Sequence, residues 1–587
     1  MRPNILWIVS EDCPPRFGCY GDPHAATPHL DALAAGGVLF EHAYSTAPVC
    51  APSRFAMITG IAPESHAPAN HMRALAARPP WLRTYPEILR DLGYYCTNNA
   101  KTDYNADIDG IWDESSRQAH WRGRPDVSPF LAVFNYDGTH ESAVFARDPF
   151  LVDPAEIRLP AYLPDTRDLR EDFAQYYRNI ADMDAFVGRL LGQLEEDGLR
   201  DSTIVIHTSD HGGVNPRSKR FCYDEGLHVP LIISAPGRYG RLFPDSGTRV
   251  GAAVSTIRIP PTLVDLAGGE VSPYMQGRSL ARCAFDPGEL AFGMRNRMDE
   301  RYDMIRTVRD SRYRYIRNYH PHRPYGQHQG FAWLAAGYRS WEAEHLAGRL
   351  SDDAFWRPKP GVELYDTASD PDEVRNLAGE AAYADVEERL SRALRDHLIE
   401  VHDNGFLPEG SPAEGYDPSR RPGAYPLARI LEVADAVPRR DPAELPRFLL
   451  ALDDPDGTVR RWGALGILVL KPLGVEARLR RVLESESDPF VVIPCAETLG
   501  DVGPLISLAG PDHPRAVRLE ALNALTALAD ESTREVVAAA AADDDEYIRG
   551  AGRYLLFQLD GSYTPASRVF QWERLRSPKG REPGTTK

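Results

Sequence analysis

The pentapeptide Cys50-Ala51-Pro52-Ser53-Arg54, followed by Thr59-Gly60, sets a thiol, a hydroxyl and a guanidinium close together. A bare thiol there is a small buried hydrophobe or a reactive nucleophile. Two further blocks carry ionisable groups. Glu11-Asp12 comes just after the apolar run Ile5–Val9, and Ser209-Asp210-His211-Gly212-Gly213 comes just after Thr203–Ile206. Three carboxylates gathered in one place repel one another unless a cation neutralises them, and hard oxygen ligands favour calcium or magnesium. A metal is therefore implied by Glu11, Asp12 and Asp210 together. Any one of these aspartates alone reads as a turn or cap residue, and Lys101 or Lys219 alone reads as a solvated surface side chain.

Bringing such blocks together requires strands whose ends meet. From residue 1 to about residue 265 short apolar runs alternate with amphipathic segments, the pattern of an α/β fold. Ile5–Val9, Phe130–Phe134, Thr203–Ile206 and Leu231–Ile233 are the expected buried strands. Between the second and third, Phe173, Tyr176, Tyr177, Ile180, Met183, Val187, Leu190, Leu191 and Leu194 recur every three or four residues, predicting a helix over 168–198 that closes on Gly198. Ligands of open α/β sheets bind outside the carboxyl ends of the strands, where Glu11, Asp12, Asp210 and His211 all fall.

The remainder is organised differently. Arg312-Tyr313-Arg314-Tyr315-Ile316 suggests a strand of a smaller sheet, and the Pro/Gly/Arg-rich stretch 408–427 reads as a linker. Beyond about residue 428, phrases around Val459, Val491, Val517 and Ile548, separated by 32, 26 and 31 residues, each precede an apolar helix. This spacing resembles HEAT-like repeats, against the alternative of a non-repetitive bundle. Four divisions are expected: 1–290, 291–427, 428–562 and a tail over 563–587. The repeat region is expected to be a packing or docking surface, separable from the active site.

Composition narrows the partners. The 587 residues exceed one domain of about 100–200 residues. With 67 Lys+Arg against 85 Asp+Glu the net charge is −18, which opposes nucleic acid and anionic membranes. The 43% hydrophobic and 26% charged content is that of a globular chain. Seven scattered cysteines form no paired framework, and neither a secretory h-region nor a transmembrane run is evident, so a soluble, cytoplasmic protein is expected.

The block Cys50–Arg54 resembles the signature of the type I sulfatases of the alkaline phosphatase superfamily, in which this cysteine is oxidised to formylglycine. The resemblance covers roughly residues 3–400 and extends to Glu11-Asp12, Tyr20-Gly21-Asp22, Thr27-Pro28-His29-Leu30-Asp31 and Ser209–Gly213. Asn70-His71-Met72-Arg73, Leu163-Pro164-Asp165-Thr166 and Asp182-Met183-Asp184 are similar to the N-sulfoglucosamine sulfohydrolase group. The resemblance implies an α/β, alkaline-phosphatase-like domain with a large mixed or parallel sheet between helices, then a smaller sheet subdomain. It also implies a maturation enzyme that makes formylglycine from Cys50, and a small sulfated substrate, a sugar by similarity to that group.

The roles it implies are specific. Glu11, Asp12, Asp210 and His211 would bind the metal together with Cys50. Arg54 would hold the formylglycine hydrate, Lys101 the sulfate oxygens, Lys219 would face the leaving group and His140 would protonate it. His211 stands where many sulfatases have asparagine, and imidazole is a softer ligand than an amide oxygen; calcium remains first, with manganese behind it and magnesium a further alternative. The same Asp-His pairing resembles phosphonate and phosphodiester hydrolases, the runner-up reading. A histidine common two residues after the lysine is replaced by Asp103, so either Asp103 or His71 takes that role. This departure is the main support for a third reading, a non-catalytic scaffold. Arg73, His71 or Arg220 would meet a second anionic group of the substrate, and the helical repeats could take a protein partner.

Overall fold

The computed structural model describes residues 2–125 and 127–571. Of the expected tail over 563–587, residues 572–587 lie outside the described residues. The strands β1 (Asn4–Ser10), β2 (Val38–Tyr44), β3 (Tyr95–Asn99), β4 (Glu114–Ser115), β5 (Phe130–Tyr136), β6 (Thr203–Ser209), β7 (His228–Ser234) and β8 (Arg249–Ser255) form one sheet in the order β4-β3-β5-β1-β6-β7-β2-β8. The four strands expected from apolar runs are β1, β5, β6 and β7. All pairings are parallel except those of β7, which runs antiparallel to β6 and β2. Between β6 and β7 the chain forms a long loop and the one-turn helix Asp224–Leu227, with no helix to cross the sheet, so β7 returns alongside β6.

Both faces of this sheet are covered, which is why β1 is apolar throughout rather than alternating. Leu6 and Ile8 pack on one face with Phe173, Ile180, Met183 and Val187. Ile5, Trp7 and Val9 pack on the other with Ile204, Ile206 and Leu231. The expected long helix spans Arg167–Glu196, and the Thr166 hydroxyl accepts from the Leu169 amide at its start.

A second, antiparallel sheet follows: β9 (Ala291–Arg295), β10 (Ile305–Arg309), β11 (Tyr313–Asn318) and β12 (Val362–Asp366), ordered β12-β11-β10-β9. The Arg/Tyr-rich segment is β11. The stretch expected to be a linker is tied down at its start, because buried Glu409 accepts two bonds from Arg297 and one from the Tyr302 hydroxyl.

From Leu427 to Leu559 the chain is built of helices and their connections. Helices pack as successive pairs: Leu445–Ala451 with Gly457–Leu470, Glu476–Ser485 with Pro489–Leu499, Val502–Ala509 with Arg515–Leu528, and Arg534–Ala541 with Glu546–Leu559. The recurring phrases mark the start of each second helix. Asp456, Asp488 and Asp545 cap amides there, and Val459, Val491, Val517 and Ile548 turn inward.

This region does not close on itself. Val308, Tyr315 and Leu364 of the second sheet share one apolar core with Ile430, Trp462, Leu479 and Val491, and the Trp462 indole donates to the Phe406 carbonyl at 3.2 Å. The expected separability therefore reverses into a different expectation. A chain ending near residue 425 uncovers that core and aggregates, and in the full chain calorimetry shows the second sheet and the first helix pairs melting together. A soluble, folded chain ending there, with an unchanged melting temperature, would show the helices to be a separate module.

Candidate active site

Strands β5, β1 and β6 lie side by side and end level, since Ser10 is in register with both Tyr136 and Ser209. The chain leaving those ends delivers His140-Glu141, Glu11-Asp12 and Asp210-His211 to one crevice, and β3 delivers Lys101 from beyond β5. Cys50 enters on another element, as the first residue of the helix Cys50–Thr59. All ten residues of that helix are buried, and its cap residue Val49 offers no side chain to the first amides, so the positive end of the helix faces the crevice.

The Cys50 Sγ marks the position of the side-chain oxygen that formylglycine would carry. It lies 3.4 Å from His211 Nε2, 3.5 Å from Asp12 Oδ1 and 3.7 Å from Lys219 Nζ. Asp12 is the hub of the site. Its Oδ1 is 2.8 Å from His211 Nε2, and its Oδ2 accepts from Lys219 Nζ at 2.6 Å and from the Glu141 amide at 2.8 Å. Burial alone would raise the Asp12 carboxyl, but Lys219 and His211 hold it well below the usual carboxylate range. Asp210 accepts from Arg54 Nε at 2.8 Å and from the Asp12 amide at 3.0 Å; against the opposing pull of burial, Arg54 brings it down to about 2.

Asp12, Cys50, Asp210 and His211 each bring one donor atom within 4.8 Å of the others, all buried. Two carboxylates and an imidazole, with residue 50 completing the group, suit a divalent cation of hard to borderline character. The residues fit a metal. Glu11 falls outside this group. Asp12 takes a left-handed backbone (φ 49°), which sends the two adjacent carboxylates to different partners, and Glu11 lies 2.5 Å from Lys101 Nζ and 3.5 Å from Arg54.

The other expected residues divide. Lys219 is buried, 3.0 Å from Glu141 as well as beside Asp12 and Cys50; burial would lower its ammonium, but Asp12, Cys50 and Glu141 hold it above the ordinary range. His140 accepts at Nδ1 from the Ser142 amide, so the neutral ring carries its proton on Nε2. Burial, then Lys219, pushes its pKa down to about 3, which keeps the ring neutral. Arg54, expected on the hydrate, braces Asp210, Glu11 and the Asn135 side chain. Asp103 lies 3.8 Å from both Lys101 and Arg73, within the charged cluster. His71 does not join it. Its Nδ1 accepts from the Arg297 amide under the second sheet, and burial pushes its pKa down to about 4. Arg220 is consumed as well, clamped by Glu141 and Asp299. Arg73 alone of the three candidates for a second anion is half-exposed.

Sequence reasoning passed over Glu141, which holds Lys219 and Arg220 together, and Asn135, which receives Arg54. It also missed Tyr176, whose hydroxyl donates to the Asp12 carbonyl at 2.6 Å. Adjacency to His140 was the available signal for Glu141. Tyr176 offered none beyond its place on the helix stripe.

A family model described as Sulfatase matches residues 3–147 and 95–269. An ulvan-active sulfatase of Formosa agariphila is 37% identical over 469 residues, covering 70% of this chain and 76% of the relative. The chain belongs to the sulfatase family. Human N-sulphoglucosamine sulphohydrolase is 25% identical over 483 residues, covering 71% of this chain and 94% of that one. A protein solved in complex with its substrate D-glucosamine-2-N,6-O-disulfate has the same fold, with TM-score 0.51 and 19% identity over 69% of this chain and 99% of the other. In this sulfatase, the signature residues Cys50, Ser53 and Arg54 all face Asp210: Ser53 Oγ donates to its carbonyl and Arg54 to its carboxylate, while Cys50 shares its donor group.

Proposed function

We propose that this sulfatase hydrolyses a sulfate ester or sulfamate on a sulfated sugar, using formylglycine made from Cys50 by a maturation enzyme and a calcium ion held by Asp12, Asp210, His211 and residue 50. The observation that carries it is the position of Cys50 Sγ, in van der Waals reach of two cation-binding side chains and of Lys219. When bound, the cation supplies Lewis-acid charge to the sulfate oxygens, and the aldehyde hydrate supplies the nucleophilic hydroxyl. Lys101 and Lys219 place fixed positive charge where negative charge develops on the transferring group. His140, neutral with its proton on Nε2, donates to the departing oxygen or nitrogen. The sugar assignment rests on the relatives. The seven cysteines form no disulfide among the described residues, which supports a reducing, cytoplasmic setting. The four helix pairs are read as HEAT-like, with a protein partner as a second use of their outer face.

His211 favours one second reading, a phosphonate monoester or phosphodiester hydrolase. A panel of sulfated monosaccharides, an aryl sulfate and phosphodiesters, assayed with matured protein, separates the two. Sulfate release is expected, together with a peptide around Cys50 lighter by about 18 Da. Faster turnover of phosphodiesters, or an unmodified cysteine in active protein, would displace the sulfatase reading. Within that panel His140→Ala should slow sugar sulfates by about 10²–10⁴-fold and aryl sulfates much less, because an aryl oxide leaves without a proton. Equal slowing of both would remove His140 from the leaving group.

A further inference from the structure

The helical region and the segment that follows its last helix flank the crevice from two directions. On one side, the ring of Tyr547, at the start of the helix Glu546–Leu559, lies 5.2 Å from the Arg297 guanidinium and 5.9 Å from that of Arg515. Arg297 in turn donates to the Met72 carbonyl at 3.0 Å, which places the ring against the backbone that presents Arg73. Arg73 takes a left-handed backbone (φ 50°) and is half-exposed, and the ion pair recorded for it, to Asp103, is long at 3.8 Å. On the other side, Phe570 packs edge-on to Phe331 at 5.2 Å, and Phe331 lies 6.3 Å from the His140 ring.

These contacts hold the helices in place against the crevice. Asn523 donates to the Glu300 carbonyl at 2.9 Å, the Glu300 side chain lies where a Cβ on Gly550 would meet it at 3.6 Å, and Arg515 reaches Glu409 at 3.4 Å. Since Arg297 and Arg515 grip the ring, the phenol hydroxyl is the free end of Tyr547, and no hydrogen bond to it is recorded among the described residues. Arg73 is the strongest favourable charge acting on that phenol, and Tyr547 and the Cys50 position both act on Arg73, in keeping with the ring's place against the backbone that presents Arg73.

Resting on the sugar sulfatase reading, we propose that the C-terminal helical region completes the substrate pocket, with the Tyr547 hydroxyl and the Arg73 guanidinium together binding a second anionic group, sulfate or carboxylate, on the sugar whose sulfate is cleaved at residue 50. A guanidinium and a hydroxyl converging on one oxyanion give charge and a directed donor, which a lone rim arginine does not. The helices thus contribute specificity while the first sheet contributes chemistry, and Tyr547 acts on substrate choice by direct contact.

The test uses the full-length matured sulfatase and three substrates: a glucosamine carrying two sulfates, its monosulfated counterpart, and an aryl sulfate. The readout is the ratio of kcat/KM for the disulfated over the monosulfated sugar. Tyr547→Phe should lower this ratio about 3–10-fold and Arg73→Ala by more than tenfold, both through KM. The double variant should lose no more than Arg73→Ala alone, since the two groups serve one anion. An unchanged ratio in Tyr547→Phe, or a loss shared equally by all three substrates, overturns the proposal, the latter showing a merely structural tyrosine. Hydrolysis of aryl sulfate with no sugar accepted overturns it while leaving a sulfatase; release of sulfate from none of the three overturns the underlying reading itself.

Discussion

Cys50→Ala releases no sulfate above background, a loss of at least about 10⁴-fold or ~5 kcal/mol of barrier, in a protein that keeps the wild-type fold and loses at most part of its calcium-dependent stabilisation. The expectation follows from what the side chain touches. Sγ contacts Asp12, His211 and Lys219, all polar groups already satisfied by one another, so its removal leaves a space smaller than one methyl group and little lost packing. In the proposed mechanism, by contrast, all covalent chemistry passes through this position. Cys50→Ser is expected to be equally inactive in a host whose maturation enzyme accepts only cysteine. The checks are sulfate release under single-turnover conditions and the melting temperature. Turnover in Cys50→Ala within about tenfold of wild type would remove covalent participation of residue 50 and with it the proposed mechanism.

The second large effect belongs to Asp12. Asp12→Asn keeps the shape but removes the negative charge that Lys219, His211 and the Glu141 amide converge on. Lys219 is left with Glu141 as its carboxylate partner, and the donor group loses one of its two carboxylates. Breaking one member of a buried ion pair costs about 3–5 kcal/mol. Two outcomes are therefore expected together: turnover falls by more than about 10³-fold, and the calcium-dependent rise in melting temperature disappears. In the wild type, exhaustive chelation should lower the melting temperature and added calcium should restore it by mass action. An undiminished calcium-dependent shift in Asp12→Asn would show that the cation is held elsewhere. Glu11→Gln serves as the contrast: because Glu11 faces Lys101 and Arg54 rather than the donor group, it should retain the calcium shift.

What the sequence determined by itself is local. Apolar runs of three to five residues become the centres of seven-residue strands because a chain buried on both faces has nowhere for a polar side chain, and an uninterrupted three-and-four spacing becomes the helix Arg167–Glu196 because it can bury one stripe. Blocks that follow such strands must emerge at the carboxyl edge, so Glu11, Asp12, Asp210 and His211 were legible as one neighbourhood from the sequence. The recurring phrases around Val459, Val491, Val517 and Ile548 were legible too, as a repeat preceding apolar helices, while the capping by Asp456, Asp488 and Asp545 came from the structure. Tertiary structure decided which neighbour each charge meets. Glu11 and Asp12 are adjacent in sequence, yet a left-handed turn at Asp12 sends one to the cation-binding group and the other to Lys101. His71 reads like a site residue until the Arg297 amide, more than two hundred residues away, takes its ring. The shared core of the helices and the second sheet, and the placing of Tyr547 beside Arg73, depend on contacts across hundreds of residues. Such contacts leave no periodicity in the chain, because they are set by which surfaces meet once each element has already buried its own apolar face.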